Sequence, residues 1–277
     1  LVDEYGADAL RFTMASCALQ GRDVKMSADR VEISRNFATK LWNAARYAEM
    51  NECVLPPDFN PAAVTHTLNK WVIGELGAVT AQMDAGFAQY KLNDVASSIY
   101  QFVWGTFCDW YLEFTKPILT GQGADDTVRA EVRATTAYVI YNVLKLLNPI
   151  MPYLTEELYE HLIPLKETDM LITASWPIAS SFPVDQDAKK DVEWLIDLIT
   201  AIRSVRSDMN VPASAKTRLV VKDASSGTNE RLARYNEVLS RIARIEEIEI
   251  LTFDAAIPKG AVQTVLDEAT YCLPVAD

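Results

Sequence analysis

The sequence predicts a mainly α protein, an antiparallel helical bundle followed by a small α+β domain. Three observations predict it. Apolar residues recur at helical spacing from the first residues to about residue 207. The breaks between these stretches are short and carry proline and glycine turn chemistry, which makes successive helices antiparallel neighbours. After Met209 the pattern changes to short runs of strand character around one further amphipathic stretch.

Residues 1–28 read as a helix and a connection, 29–186 as the bundle, and 187–277 as one more helix plus the α+β domain. The segment 29–51 has the clearest helical pattern. On a 3.6-residue wheel, Phe37, Ala38, Leu41, Ala44, Ala45 and Ala48 gather on one side. Arg35, Asn36, Thr39, Lys40, Asn43, Arg46 and Tyr47 gather on the other. Further helices are expected over 62–88, 92–119, 125–147, 153–162 and 187–207. Leu55-Pro56-Pro57-Asp58 separates two of them, and Lys116-Pro117 with Gly121-Gln122-Gly123 ends a third. Asn148-Pro149-Ile150-Met151-Pro152 forces a corner. Thr155, Glu156 and Glu157 come near the next helix start, where acids complement the dipole. Beyond Met209, strands are expected over 218–221, 247–253, 262–266 and 270–275, and a helix over 229–244 with Leu232, Tyr235, Leu239 and Ile242 on one stripe.

The 277 residues are 49% hydrophobic and 23% charged, the composition of a globular protein with ample core. No run of about 18 apolar residues suggests a membrane span. The opening, Leu1-Val2-Asp3-Glu4-Tyr5, has neither Met nor a leader pattern, which reads as part of a longer chain working in the cytoplasm. Cys17, Cys53, Cys108 and Cys272 lie far apart and are expected to be buried free thiols of a reducing compartment. His66 and His161 are likewise isolated, so no zinc site is expected. No Walker A loop, GxGxxG, GxSxG or HExxH is present, and no carboxylate is singled out by its spacing. The sequence alone therefore identifies no catalytic residue, metal or cofactor.

A net charge of −12 argues against a general nucleic-acid binder. The charge is uneven, however. Residues 201–223 carry five Lys/Arg against two Asp/Glu, while 124–200 carry six against thirteen. A protein that reads one RNA needs a local basic face, not a basic total. The polar face of the 29–51 helix is the first candidate. There Arg35 and Lys40 suit phosphates, Asn36 and Asn43 suit base edges, and Arg46 can stack on or hydrogen-bond a base. Trp42 borders both faces and reads as a structural residue or a base platform. Arg203, Arg206 and Lys216 flank the Met209-Asn210-Val211-Pro212 turn, suited to an RNA backbone or to ion pairs with Asp208 or Asp197. The aromatic residues from Tyr100 to Tyr111 read as core. The competing readings are a solvated helix face and a helical module that docks a protein partner.

Several segments resemble valyl-tRNA synthetase, in that family's order and over nearly the whole chain. Residues 3–12, DEYGADALRF, resemble a helix that comes after the family's KMSKS loop. Gly21-Arg22-Asp23-Val24-Lys25 resembles its GRD(I/V)K segment. Residues 35–46, RNFATKLWNAAR, resemble the first long helix of its anticodon-binding bundle, a pattern shared with isoleucyl and leucyl relatives. Cys108-Asp109-Trp110-Tyr111-Leu112-Glu113 through Lys116-Pro117, and Ile202-Arg203 through Pro212, favour the valine family. In the proline corner and the helix after it, Asn148 stands where the family has His and Tyr159 where Trp is usual. Lys25-Met26-Ser27-Ala28-Asp29 begins like KMSKS but lacks the second lysine, and Asp29 would repel a triphosphate.

The resemblance implies a class I synthetase anticodon-binding bundle whose partners are tRNA-Val and the remainder of the synthetase chain, acting as a monomer. It implies tRNA contact by Arg35, Asn36, Lys40, Trp42, Asn43 and Arg46, with Arg203, Arg206 and Lys216 as a second group. ATP with Mg would belong to the parent enzyme, and no cofactor to this stretch. The same region of an isoleucyl- or leucyl-tRNA synthetase is the alternative. The chain ends about where the family's coiled-coil arm would begin.

Overall fold

A computed structural model describes residues 1–19, 21, 23–24, 26–121, 125–163, 169–252 and 254–274. Arg22, Lys25, Gln122, Gly123, Phe253 and Val275, which enter the expectations drawn from the sequence, lie outside the described residues. The chain divides into two compact units, Leu1–Ala188 and Lys189–Asp277.

The first unit is helical. It comprises α1 (Val2–Tyr5), α2 (Ala7–Cys17), α3 (Ala28–Met50), α4 (Thr67–Ala88), α5 (Leu92–Gln101), α6 (Glu113–Thr120), α7 (Asp126–Leu147) and α8 (Pro152–Leu162). The opening helix is broken at Gly6, whose φ of 89° and ψ of 155° suit glycine alone. Between α5 and α6 the chain does not stay α-helical. Residues Phe102–Leu112 form a π-helix, a rare geometry with i→i+5 hydrogen bonds. Pro117 lies inside α6 and does not end it. Having no N–H, it leaves out the bond that a regular α ladder would make to the Glu113 carbonyl.

The core of this unit interleaves Phe12, Phe37 and Leu41 with Val72, Ile73, Leu76 and Met83 of α4, Ile99, Phe107 and Tyr111, and Ile140, Val143 and Leu144 of α7. Gly86 lets α5 close on α4, since a Cβ there would lie 2.6 Å from Val95 Cγ2. The proline corner is held from far away. Arg11 donates to the carbonyls of Ile150 and Pro149 at 2.9 and 3.0 Å. Asp8 accepts from the Leu154 and Tyr153 amides at 2.6 and 3.5 Å, and so caps α8. This corrects the expectation for that helix, whose own first turn carries no acid. Glu156 instead accepts from the Leu171 and Ile172 amides at 2.9 and 2.8 Å.

The second unit holds the remainder of α9 (Gln186–Asp208) with α10 (Ser226–Arg234), α11 (Asn236–Ile242), β1 (Thr217–Lys222), β2 (Ile245–Ile250), β3 (Ala261–Leu266) and β4 (Ala269–Pro274). The sheet order is β2-β1-β4-β3, with β1 parallel to β2 and antiparallel to β4. The crossover α10–α11 is what a parallel pair requires. The central strands bury three consecutive residues each, Leu219–Val221 and Tyr271–Leu273, as strands covered on both faces do. The single helix expected over 229–244 is two, broken at Tyr235. The Tyr235 hydroxyl donates to Asp191 at 2.7 Å, joining Arg231 at 2.8 Å and Arg234 at 2.7 Å on that one buried carboxylate.

Candidate nucleic-acid interface

α3 buries Val31, Phe37, Leu41, Ala44, Ala45 and Ala48 and turns its polar side outward, in keeping with its sequence period. Asn36, Thr39, Asn43 and Arg46 are exposed along that side. Among the described residues, Asn43 and Arg46 have no hydrogen-bond or ion-pair partner. Arg35 is half-buried, pairs with Glu32 at 3.0 Å and lies 5.5 Å from the centre of the Tyr5 ring. Asn36 accepts weakly from Arg35 at 3.4 Å.

Two seams bound this strip. On one side Lys40 Nζ donates to Asp109 Oδ1 at 2.8 Å and lies 4.9 Å from the centre of the Trp104 ring. Burial alone would lower the Lys40 pKa, but the hydrogen bond and charge of Asp109 more than offset it, so the ammonium is held above its ordinary value. On the other side the half-buried Trp42 meets the His161 ring edge-on, with centroids 6.5 Å apart. Trp42 thus packs against α8 with part of its ring in solvent.

The aromatic residues over 100–111 are not uniformly core. Phe102, Phe107 and Tyr111 are buried, but Tyr100, Trp104 and Trp110 are half-exposed. Two of these end a file that runs from the interior outward: Phe12 on Phe37 at 4.9 Å, Phe37 on Tyr100 at 5.1 Å, and Tyr100 stacked on Trp104 at 5.5 Å.

In the second unit the cations behave differently. Arg206 is only 7% exposed. It donates to the carbonyls of Pro212 and Ala215 at 3.0 and 2.7 Å and to Thr217 Oγ1 at 3.2 Å. Neither Asp208 nor Asp197 is its partner. Its guanidinium closes the Met209–Pro212 turn and offers little surface to any ligand, which removes it from the expected contact group. Arg203 is exposed and donates to the Ile242 carbonyl at 3.4 Å, while Lys216 is exposed beside a cleft of about 490 Å³. The turn itself is a helix stop. Asn210 is left-handed at φ 52°, the Val211 amide donates to the Arg206 carbonyl at 2.9 Å, and the Asn210 amide to the Ser207 carbonyl at 3.0 Å.

Trp104 and Asp109 were not legible as neighbours of Lys40, because their approach depends on the π-helix. Among the described residues there is no group of His, Cys, Asp and Glu able to hold a metal ion. Cys53, Cys108 and Cys272 are buried thiols and Cys17 is half-exposed, all four unpaired. Burial pushes Cys53 up to about 11 and Cys108 to about 12, which makes both inert. No described helix is long and apolar enough to cross a membrane. Ser27 precedes α3 and Asp29 lies in its first turn, so that helix end already carries an acid and does not fit a nucleotide triphosphate.

Known proteins share this sequence over most of its length. A family model described as the anticodon-binding domain of tRNA ligase matches residues 69–221, a span that begins after α3. The valine–tRNA ligase of Brucella suis biovar 1 is 48% identical over 99% of this chain and 30% of its own length. That of Rhizobium meliloti is 46% identical over 99% of the chain and 28% of its own length. That of Caulobacter vibrioides is 44% identical over 100% of the chain and 30% of its own length. The chain therefore spans under a third of these relatives.

Proposed function

Because the chain belongs to the anticodon-binding-domain family of tRNA ligases, we propose that it is the tRNA-reading part of a valine–tRNA ligase and that the exposed face of α3 meets unpaired nucleotides of tRNA-Val. The observation that carries this reading is the row Asn36, Asn43 and Arg46, exposed on a helix whose other face is buried. Unpaired bases present hydrogen-bonding edges and π-faces, which amide and guanidinium groups match. Asn36 and Asn43 can donate and accept at a base edge. Arg35 pairs with Glu32 near the surface, a type of contact worth little, and can exchange it for a phosphate. Lys40 would have to leave Asp109 to do the same. On the second unit, Arg203 and Lys216 are the cations left for an RNA backbone.

In this reading the parent enzyme attaches valine to its tRNA in the cytoplasm as a monomer. ATP and Mg act on polypeptide outside this chain, and that remainder is its intramolecular partner.

The test is binding of the purified chain to tRNA-Val and to the same tRNA with a swapped anticodon, at two salt concentrations. The expected result is preference for the valine anticodon and affinity that falls with salt. Arg46→Ala is expected to weaken binding by roughly tenfold. Equal affinity for both tRNAs, unaffected by salt, would overturn the reading in favour of a protein-docking module.

A further inference from the structure

We propose that Trp104 is a stacking platform for one unpaired nucleobase, closed in the free protein by the Lys40 side chain and held closed by Asp109. This rests on the reading of α3 as an RNA-facing helix and adds a site on a neighbouring element.

The π-helix is what brings the three groups together. In an α-helix, residues five apart point about 140° away from each other. Trp104 and Asp109 could not then both reach one ammonium. With i→i+5 bonding the turn is wider, and residues five apart differ by only about 50° and share one face. The π-helix Phe102–Leu112 therefore presents the ring and the carboxylate together to Lys40 of α3, at 4.9 and 2.8 Å. π-helical segments are rare and frequently lie at functional sites.

The ring is built as a platform. It is stacked on Tyr100, which rests on Phe37 and through it on Phe12, so the indole is backed by a file that reaches the buried core. Over the same ring lies the Lys40 ammonium. A cation over an indole occupies the place that a base π-face would take. Lys40 and Asp109 keep 33% and 48% of their side-chain surface exposed, so the lid lies at the surface and can open without unfolding anything. Asn36 lies one turn before Lys40 on α3 and Asn43 about one turn after, so hydrogen-bonding groups for the edge of a stacked base flank the ring.

The exchange balances chemically. The base replaces the ammonium over Trp104, and the displaced ammonium moves from Asp109 to the phosphate of the same nucleotide. Asp109 acts as a positioning residue. It neutralises Lys40 in the free state, so a phosphate alone gains little there, and a nucleotide offering both base and phosphate is favoured over a bare polyanion.

The experiment uses the full chain and a labelled tRNA-Val anticodon stem-loop. Trp104→Leu is expected to lower affinity about tenfold, within the range of base–aromatic stacking, with little change in salt slope because no phosphate contact is removed. Trp104→Phe is expected to retain most of the affinity. Asp109→Asn is expected to tighten binding and steepen the salt slope, since it frees Lys40. Single abasic substitutions in the stem-loop should weaken wild-type binding at one position to which Trp104→Leu is indifferent. If the Trp104→Leu variant does not fold, 5-fluorotryptophan labelling decides. The resonance missing from Trp104→Phe must shift when wild type meets the stem-loop, and an unmoved resonance overturns the proposal. Wild-type binding with Trp104→Leu unchanged overturns the platform and leaves the RNA reading standing. No binding by wild type overturns both.

Discussion

α3 and α9 are both helices of 23 residues, and both end in the same way. After α3, Glu52 is left-handed at φ 57°, and the Cys53 and Glu52 amides return to the carbonyls of Ala48 and Glu49, both at 2.9 Å. After α9, Asn210 takes the same conformation and Val211 and Asn210 make the same pair of bonds. The arginines in their last two turns nevertheless do opposite things. Arg46 extends into solvent, while Arg206 turns inward to three acceptors. The difference lies in the residues beyond each stop. Pro212 and Ala215 bring carbonyls back to the end of α9, where a five-donor fork satisfies them at once. No such carbonyls draw on Arg46. An arginine near a helix end is a binding group or a structural clamp depending on residues downstream of the helix.

The largest expected effect tests that contrast. Arg206→Ala leaves two carbonyls without their donor and is expected to destabilise the second unit by about 2–3 kcal/mol. Arg206→Lys is expected to recover only part, since an ammonium cannot span three acceptors from one planar fork. Arg46→Ala should leave stability within about 0.5 kcal/mol of wild type. Urea denaturation with hydrogen exchange read at the β1 and β4 amides for Arg206 and at the α3 and α7 amides for Arg46 measures each in its own unit. Comparable losses for the two arginines would end the distinction.

A smaller effect separates exposed from enclosed charge. Glu131 accepts from the Thr65 amide and hydroxyl at 3.0 and 2.7 Å, the His66 amide at 2.8 Å and Asn69 Nδ2 at 2.8 Å. Burial raises its pKa, but these four donors outweigh burial and hold it below the usual glutamate value. A carboxyl with a depressed folded pKa contributes stability above its unfolded pKa and loses it as pH falls through the folded one. Glu131→Gln is therefore expected to lose about 1 kcal/mol at neutral pH, with the gap from wild type closing below about pH 4. Glu32→Gln, which breaks only the surface pair with Arg35, is expected to change stability by no more than about 0.5 kcal/mol when measured alongside at neutral pH. A gap for Glu131→Gln that persists unchanged to pH 3 would mean that shape, not charge, holds the site.

The helices of the bundle were legible because burial imposes a 3.6-residue period, and α3, α7 and α9 fall within a residue or so of their expected bounds. Of the strands, β2 was legible from its alternating Glu and Ile, though it begins two residues before the 247 expected. The others were legible only as short β-type runs, since β1 and β4 bury three consecutive residues and not every second one. The features that escaped depend on partners distant in sequence or on geometry without a compositional mark. Asp8 caps a helix that begins 144 or more residues later, as its bonds to Tyr153 and Leu154 separate by 145 and 146 positions. The split at Tyr235 accompanies a bond to Asp191, 44 positions away. The π-helix differs from α by about one residue per turn, and its apolar pattern reads as a buried helix in either case. For the candidate site, the exposure of Asn36, Asn43 and Arg46 came directly from the wheel. The tie between Lys40 and Asp109 spans 69 positions and could not be read from it.

The smallest expected effects return to the helix stops and ask what a side chain costs there. Tyr90 makes a third stop of this kind after α4, at φ 57°, with its amide on the Phe87 carbonyl at 3.0 Å and the Lys91 amide on the Gly86 carbonyl at 2.8 Å. The left-handed conformation costs an ordinary residue about 1–2 kcal/mol, and glycine avoids this but loses more chain entropy on folding. Tyr90 is 83% exposed, so Tyr90→Gly removes strain and little packing, and is expected to stabilise the first unit by up to about 1 kcal/mol. Glu52→Gly should gain less, because it also removes the carboxylate 2.8 Å from Arg133. Asn210→Gly should be close to neutral, since asparagine tolerates this conformation. Thermal denaturation of the three variants should rank them in that order. If Asn210→Gly stabilised as much as Tyr90→Gly, the strain would belong to the stop itself and not to the residue placed there, and the stops after α3 and α9 would be equivalent in energy as well as in form.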